Sequence, residues 1–458
     1  MIYESFLDDI DSIYPTLKIL GDGKFKNYIE EIEDVREKGR RFIVENIERI
    51  NTAEKEAEKN PSYIDRELLK NGGKYNFFSL IIPEEFGGKG IRTLPYAFFT
   101  EDMSSISSGI LTIFGAHALG LLPIMFSPYI GAFSEFLKEI PLKEKDFPVI
   151  YALGLTEPTG GSDVQQDGEV LMKAKIITKA KKSKGGYIIN GRKVFISNGS
   201  IANYITVAAS PEPGKMMWFL LDSSYVKVSR VEDKMGQKTS PTAELVFDDI
   251  FVPDDMILAD EDIGSKNTEM ILSVSRAPVG AIATGIAKGL IKITVDIIRK
   301  SYNDFNNFQA YKIAEALSKL YIARQIWISA CIFIDFFGPM SLQKNIFFKL
   351  LLKTLSNIPK SIGRFIGGKG KEIFLKILSK DIEKVEIYSS IAKAYSSWIS
   401  YEICQICMDL LEEKGIDKSE IAERLWRDIK LTHIYETTNE VNNLIIFKKL
   451  FGKSGVIL

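Results

Sequence analysis

The sequence predicts an α+β chain in three parts: an N-terminal helical domain over residues 1–147, a middle β domain over 148–255 and a C-terminal helical bundle over 256–458. Three observations predict that order. The charged stretch from Lys26 to Glu48 carries apolar residues at helical spacing. Near Val149 the texture changes to short β-branched runs separated by Gly, Asn, Asp and Pro. After Pro253 the long helical patterns return.

The first helical part is broken at Ile82-Pro83-Glu84-Glu85-Phe86-Gly87-Gly88, then resumes as an apolar segment from Ile110 to Met125. That segment is too interrupted to offer the ~20 apolar residues a bilayer span needs. In the middle part, Tyr187-Ile188-Ile189 runs into Asn190-Gly191, which reads as a hairpin turn. Ile205 to Ala208 and Glu244 to Phe247 read as further strands of a small barrel or sandwich. In the last part, Ala277 to Ile298 contains Gly280, Gly285 and Gly289, which suit close helix packing, and Ala392 to Leu411 and Glu420 to Lys430 read as helices.

Composition narrows the function. Lys and Arg number 59 against 60 Asp and Glu, so no overall basicity argues for nucleic acid. Three cysteines are too few for a disulfide framework, and a reducing, cytoplasmic setting is expected. The start, Met1-Ile2-Tyr3-Glu4, has neither the basic nor the apolar region of a signal peptide. Two histidines exclude a His-rich metal centre. Cys404-Gln405-Ile406-Cys407 has no second pair and reads as two core cysteines, so no metal is expected.

Four segments carry chemistry. Leu155-Thr156-Glu157-Pro158-Thr159-Gly160-Gly161-Ser162-Asp163 follows a strand, and its glycines and hydroxyls could bring donors close to a ligand; alone, it could equally be an ordinary turn. Gly191 to Gly199 reads as a strand closed by Asn198-Gly199, with Phe195 and Ser197 on one face. Ser240 to Pro253 reads as a strand and turn. Arg427-Asp428 is followed by Tyr435-Glu436-Thr437-Thr438-Asn439-Glu440 after a helix; a lone loop Glu is usually only solvated.

Taken together and in this order, the four segments resemble the acyl-CoA dehydrogenases, flavoenzymes that desaturate the α–β bond of acyl thioesters. The resemblance extends over nearly the whole chain. It implies FAD as cofactor, with Leu153, Leu155, Thr156, Gly161 and Ser162 in the flavin loop and Ser162 also meeting the acyl-CoA. Phe195 takes the position of a family Trp beside the flavin, Ile196 adjoins it, and Ser197 takes that of a Thr facing flavin N5. Thr438 and Glu440 would follow at the flavin, with Arg299 and Tyr302 on the pyrophosphate side. Arg276 and Thr437 would sit near the substrate thioester, and Glu436 is the implied catalytic base. Expected partners are an acyl-CoA substrate, an electron-transferring flavoprotein, and further copies as a homodimer or homotetramer, or a related subunit in a hetero-oligomer.

The chain departs from the family in four places. Asp409, Glu412 and Glu413 fall where relatives carry a Gln and two glycines that receive FAD pyrophosphate from the neighbouring subunit; only Gly415 survives. Tyr302-Asn303 replaces a Phe-Gly pair, and Thr437 replaces the Gly after the base. These changes leave a second reading open: a non-catalytic or FAD-poor subunit paired with an active dehydrogenase. Fourth, an insertion over about 338–381 carries Lys344, Lys349, Lys353, Lys360, Arg364, Lys369, Lys371, Lys376 and Lys380 against Glu372 alone. Pro359 and Gly367-Gly368-Lys369-Gly370 are expected to divide it into two helices. It reads either as an amphipathic hairpin packed on the protein or as a basic surface for a membrane or acidic partner, and as an addition dispensable for the fold.

Overall fold

The computed structural model describes residue 7 and residues 26–162, 176–302, 305–412 and 420–452. The observed order is helices, sheets, helices. The N-terminal part holds α1 (Lys26–Lys59), α2 (Arg66–Lys74), α3 (Thr93–Met125) and α4 (Ser134–Lys143). α1 is amphipathic: Ile32, Val35, Phe42 and Ile50 are buried while most of its charges face out, Arg36 and Glu54 being buried exceptions. Ser108–Met125 has the length and apolarity of a bilayer span, but 89% of it is buried within the protein, so it serves as a core helix. The helix of residues 307–337 passes the same test and is half buried.

The β domain is two four-stranded sheets. One has the order β1 (Tyr151–Gly154), β4 (Tyr204–Ala209), β5 (Met217–Asp222), β8 (Ile257–Ala259); only its β1–β4 pair is parallel. The other has the order β2 (Lys179–Ser183), β3 (Gly186–Ser197), β7 (Thr242–Pro253), β6 (Lys227–Val231). The sheet thus runs past residue 255. The hairpin turn between β2 and β3 lies at Lys184-Gly185, where Gly185 takes a φ of 77°. Asn190-Gly191 is not a turn: it sits inside β3 at a register shift between Ile189 and Gly191. The Asn-Gly signal here marks a bulge.

The C-terminal part holds α5 (Gly264–Tyr302), α6 (Asn307–Phe337), α7 (Ile346–Leu355), α8 (Lys360–Leu378), α9 (Ile382–Glu412), α10 (Glu420–Leu431) and α11 (Asn439–Phe451). Glycines let α5 approach its neighbours: a Cβ on Gly280 would meet Ser396 and Trp327, and one on Gly289 would strike the Ser105 backbone. Cys404 and Cys407 are both buried and reduced, in the cluster that packs α5 against α9 and α10.

The insertion forms α7 and α8, preceded by a 3-10 turn over Pro339–Lys344. Pro359 separates the helices, because it lacks the backbone N–H and its ring clashes with the preceding turn of a continuous helix. The glycine run does not divide α8. It lies inside the helix, because Gly363 and Gly367 press against the backbone of residues 128–132; a Cβ on Gly363 would lie 2.8 Å from Ala132 N. Nor is the insertion simply an appendage. Met340, Leu352, Leu355 and Leu378 are buried, and Gln343 Nε2 donates to Ile81 O at 3.2 Å. Removing it would uncover the N-terminal domain.

Candidate active site

A cavity of about 660 Å³ lies where α3, the β domain, the start of α5 and the 433–438 loop meet. Its wall brings together Leu153, Leu155, Thr156, Gly161, Ser162, Phe195, Ile196, Ser197, Glu436, Thr437 and Thr438, all of them residues singled out from the sequence. Arg276 and Glu440 are not on the wall, and Arg299 is exposed at the far end of α5. The Tyr302 side chain, Asp163, Asn303, Glu413 and Gly415 lie outside the described residues.

The 155–162 loop is held from below by a buried ion pair. Lys193 Nζ donates to Leu155 O at 2.9 Å and to Glu157 Oε1 at 2.9 Å. Glu157 also accepts from the backbone N–H groups of Ile177 and Thr178. Burial alone would raise the Glu157 carboxyl, but Lys193 and those two donors hold it below its usual range. Above this base, Phe195 takes a φ of 58° at a β3 irregularity and is 62% exposed, so an aromatic face stands out on the cavity wall beside Ser197. A Cβ on Gly161 would meet nothing within 4 Å, which leaves the loop open to a ligand.

The opposite wall is the loop joining α10 to α11. Lys393, fully buried on α9, donates to His433 O at 3.0 Å and Asn439 Oδ1 at 2.8 Å, tying both ends of the loop to one cation. Asp428 anchors the preceding helix: it accepts from Ser108 Oγ at 2.8 Å and from Gln237 N at 2.5 Å, so the Arg-Asp pair joins three parts of the chain. Glu436 and Thr437 have φ of 53° and 74°, unusual for any residue but Gly and most of all for a β-branched one. Thr437 is held there partly by Arg276, whose Nη2 donates to its Oγ1 at 3.1 Å while Nη1 meets Glu386 at 3.1 Å. The structure puts the Arg276 guanidinium behind the 433–438 loop, fully buried and off the cavity wall.

Glu436 faces the cavity. Ser275 Oγ donates to its Oε2 at 2.5 Å. Burial pushes the carboxyl up, and Ser275, Arg276 and Lys393 pull it part of the way back. Burial in turn pushes Lys393 down to about 7, with Glu436 opposing. This loop and the 155–162 loop meet directly, since Thr438 N donates to Ser162 Oγ at 3.2 Å. Three residues here went unnoticed in the sequence: Ser275, Lys393 and Gln237. Only Lys393 carried a signal, as a lysine amid the Ser and Ala residues of a helix face (Ser389, Ser390, Ala392, Ser396, Ser397) that had to be buried. No cluster able to hold a metal ion occurs among the described residues.

The N-terminal, middle and C-terminal domains of acyl-CoA dehydrogenases match residues 29–127, 152–250 and 375–451. The chain belongs to the acyl-CoA dehydrogenase family. An acyl-CoA dehydrogenase of Bacillus subtilis is 29% identical over 395 residues, covering 84% of this chain and 90% of the relative. A 3-(aryl)acrylate reductase of Clostridium sporogenes is 27% identical over 92% of this chain and 99% of its own. The fold is shared with butyryl-CoA dehydrogenase from Megasphaera elsdenii (TM-score 0.68, 23% identity, 92% and 97% of the two chains). It is also shared with the FAD complex of PigA with proline (TM-score 0.72, 20% identity, 92% and 97%). The family is one of flavoprotein oxidoreductases acting on CH–CH bonds.

Proposed function

We propose that the protein is an FAD-dependent acyl-CoA dehydrogenase with Glu436 as its base. The observation that carries the reading is the carboxyl of Glu436 on the cavity wall, its proton affinity raised by burial and its orientation set by Ser275, opposite an aromatic and hydroxyl-lined wall. The residues present fit a flavin: Phe195 offers a flat face, Ser197, Thr156 and Ser162 offer hydroxyls, and the space over Gly161 is open. When bound, FAD supplies the acceptor for the β-hydride. The chain's own work is to bind and to move a proton. Apolar side chains from α3 and α5, including Leu111, Leu119, Leu272 and Val279, line the space for an acyl chain and keep water out. Glu436, partly desolvated, takes the α-proton of the thioester, and the buried Lys393 and Arg276 steady the loop that carries it. We take an acyl-CoA as substrate, an electron-transferring flavoprotein as acceptor and a homo-oligomer as the working form.

Glu436→Gln tests this. Turnover should fall by ~10²-fold or more, the usual scale for a lost general base, with the fold retained. Near-normal turnover would remove Glu436 from the role.

One observation favours a second reading, a subunit that fills only half of a flavin site. Asp409 and Glu412 stand exposed at the C-terminal end of α9, where the helix dipole is already negative. Each carboxylate would repel a pyrophosphate by ~1–4 kcal/mol at 4 Å, depending on the effective dielectric. A purified protein without the visible flavin bands would favour this reading.

A further inference from the structure

The α7–α8 hairpin is apolar on both sides. Its inward face carries Leu352, Leu355 and Leu378, the close-packed Gly363 and Gly367, and paired cations. Lys344 meets Glu31 at 3.1 Å and Glu84 at 3.2 Å, and Lys349 meets Glu84 at 2.8 Å. Lys360 meets Asp255 at 2.6 Å, and Lys371 meets Asp260 at 3.0 Å and Asp262 at 2.8 Å. Arg364 donates to Asp255 O and Ile257 O and lies over the Tyr129 ring. These contacts account for five of the nine cations and settle the packed part of the hairpin.

The outward face is different. Ile346, Phe347 and Leu350 on α7 are 68%, 79% and 57% exposed; Phe365, Ile373 and Ile377 on α8 are 67%, 68% and 49% exposed. Their spacing along each helix puts them on one side. Leu355, Gly363 and Gly367 press both helices onto the same 128–132 turn, so the two apolar rows point away from a common base. Lys353, Lys369, Lys376 and Lys380 are exposed and have no acidic partner among the described residues, and Glu372 is the one acid of the hairpin. A contiguous apolar face of this size is uncommon on a soluble surface unless something covers it.

We propose that this face docks the protein on an anionic lipid bilayer. The charge decides the occupant. In a two-fold pairing with a second copy the same patch would meet itself, setting lysines against lysines. Four unpaired lysines against one glutamate complement anionic headgroups, and their stems can reach the headgroup layer while the Phe, Leu and Ile side chains sink to the acyl boundary. The hairpin thereby lies on the membrane without spanning it. The inference stands apart from the assignment of Glu436, since no residue of the outward face lines the cavity.

The test is co-sedimentation of the full-length protein with large unilamellar vesicles. One set is phosphatidylcholine alone; the other contains one-third phosphatidylglycerol. Binding should be strong on the anionic vesicles at low salt, weak on the neutral ones, and reduced by high salt. Lys369→Gln with Lys376→Gln should lower the partition about 25-fold, at about fivefold per lysine. Phe347→Ser with Phe365→Ser should lower it on both vesicle types. All four side chains point into solvent, so circular dichroism and Tm should not change. A parent that ignores anionic vesicles overturns the proposal, as do variants that bind like the parent. So does a Phe347→Ser, Phe365→Ser protein whose oligomeric state alone changes by analytical ultracentrifugation, because the face would then be a subunit contact.

Discussion

Replacing Ser275 by Ala removes one hydroxyl and leaves the rest of the site in place. That hydroxyl donates to Glu436 Oε2 at 2.5 Å and favours the ionised carboxylate. A hydrogen bond to a charged group is worth about 1.5–3 kcal/mol, and one pH unit corresponds to about 1.4 kcal/mol. Its loss should therefore raise the Glu436 proton affinity by about one to two units, toward the low end because water can enter beside a cavity-lining carboxylate. The base acts deprotonated, so the acidic limb of kcat/KM should move to higher pH by about one unit, with the plateau at high pH reduced much less. The assay is kcat/KM against pH with a saturable acyl-CoA and an artificial electron acceptor. A limb that stays in place, or moves to lower pH, would refute the assignment of Ser275 and weaken that of Glu436. The same shift has a stability sign. A carboxyl raised in the folded state makes its most favourable contribution below the ordinary carboxylate range and loses it as pH rises through the raised value. Ser275→Ala should thus lower Tm at neutral pH more than at pH 4, where the parent and variant carboxyls are both protonated.

Other outcomes follow from the same geometry. Glu412→Gly with Glu413→Gly should tighten FAD binding by removing repulsion from the pyrophosphate side; fluorescence titration giving unchanged or weaker affinity would show that these carboxylates face elsewhere. Gly363→Val should destabilise the hairpin by about 1–3 kcal/mol, because its Cβ alone would sit 2.8 Å from Ala132 N, and chemical denaturation should register the loss. A Gly363→Val protein as stable as the parent would mean that α8 can move off the 128–132 turn without cost.

The three-part order and one wall of the site were legible in the sequence for a physical reason. The cavity-lining residues come from contiguous runs, Leu153–Ser162 and Phe195–Ser197, and the proposed base sits in another, Tyr435–Thr438. Contiguity survives without knowledge of helix register. Ser275 and Lys393 lie on separate helices, α5 and α9, and meet the loop only once those helices are packed. Arg276 illustrates the same limit: its neighbour Ser275 faces the cavity, whereas Arg276, 100° around the helix, points behind the loop to Glu386 and Thr437. Turn chemistry misled twice. Asn190-Gly191 became a bulge because the true turn had Gly185 available, and Gly363 and Gly367 of α8 stayed helical where a side chain would strike the 128–132 backbone. The insertion was readable as basic and apolar, but which cations it pairs inward depended on Glu84, Asp255, Asp260 and Asp262, far away in sequence.

Glu436 and the wall of Phe195 and Ser197 are proposed to act together on one acyl thioester. The most direct measurement is anaerobic mixing of the purified, FAD-supplemented protein with a panel of acyl-CoAs while the visible flavin absorbance is followed. The parent should be yellow and its absorbance should bleach with at least one acyl-CoA, whereas the Glu436→Gln protein should be equally yellow and should not bleach on the same timescale. A parent that takes up no FAD, or a Glu436→Gln protein that bleaches as fast as the parent, would contradict this proposal.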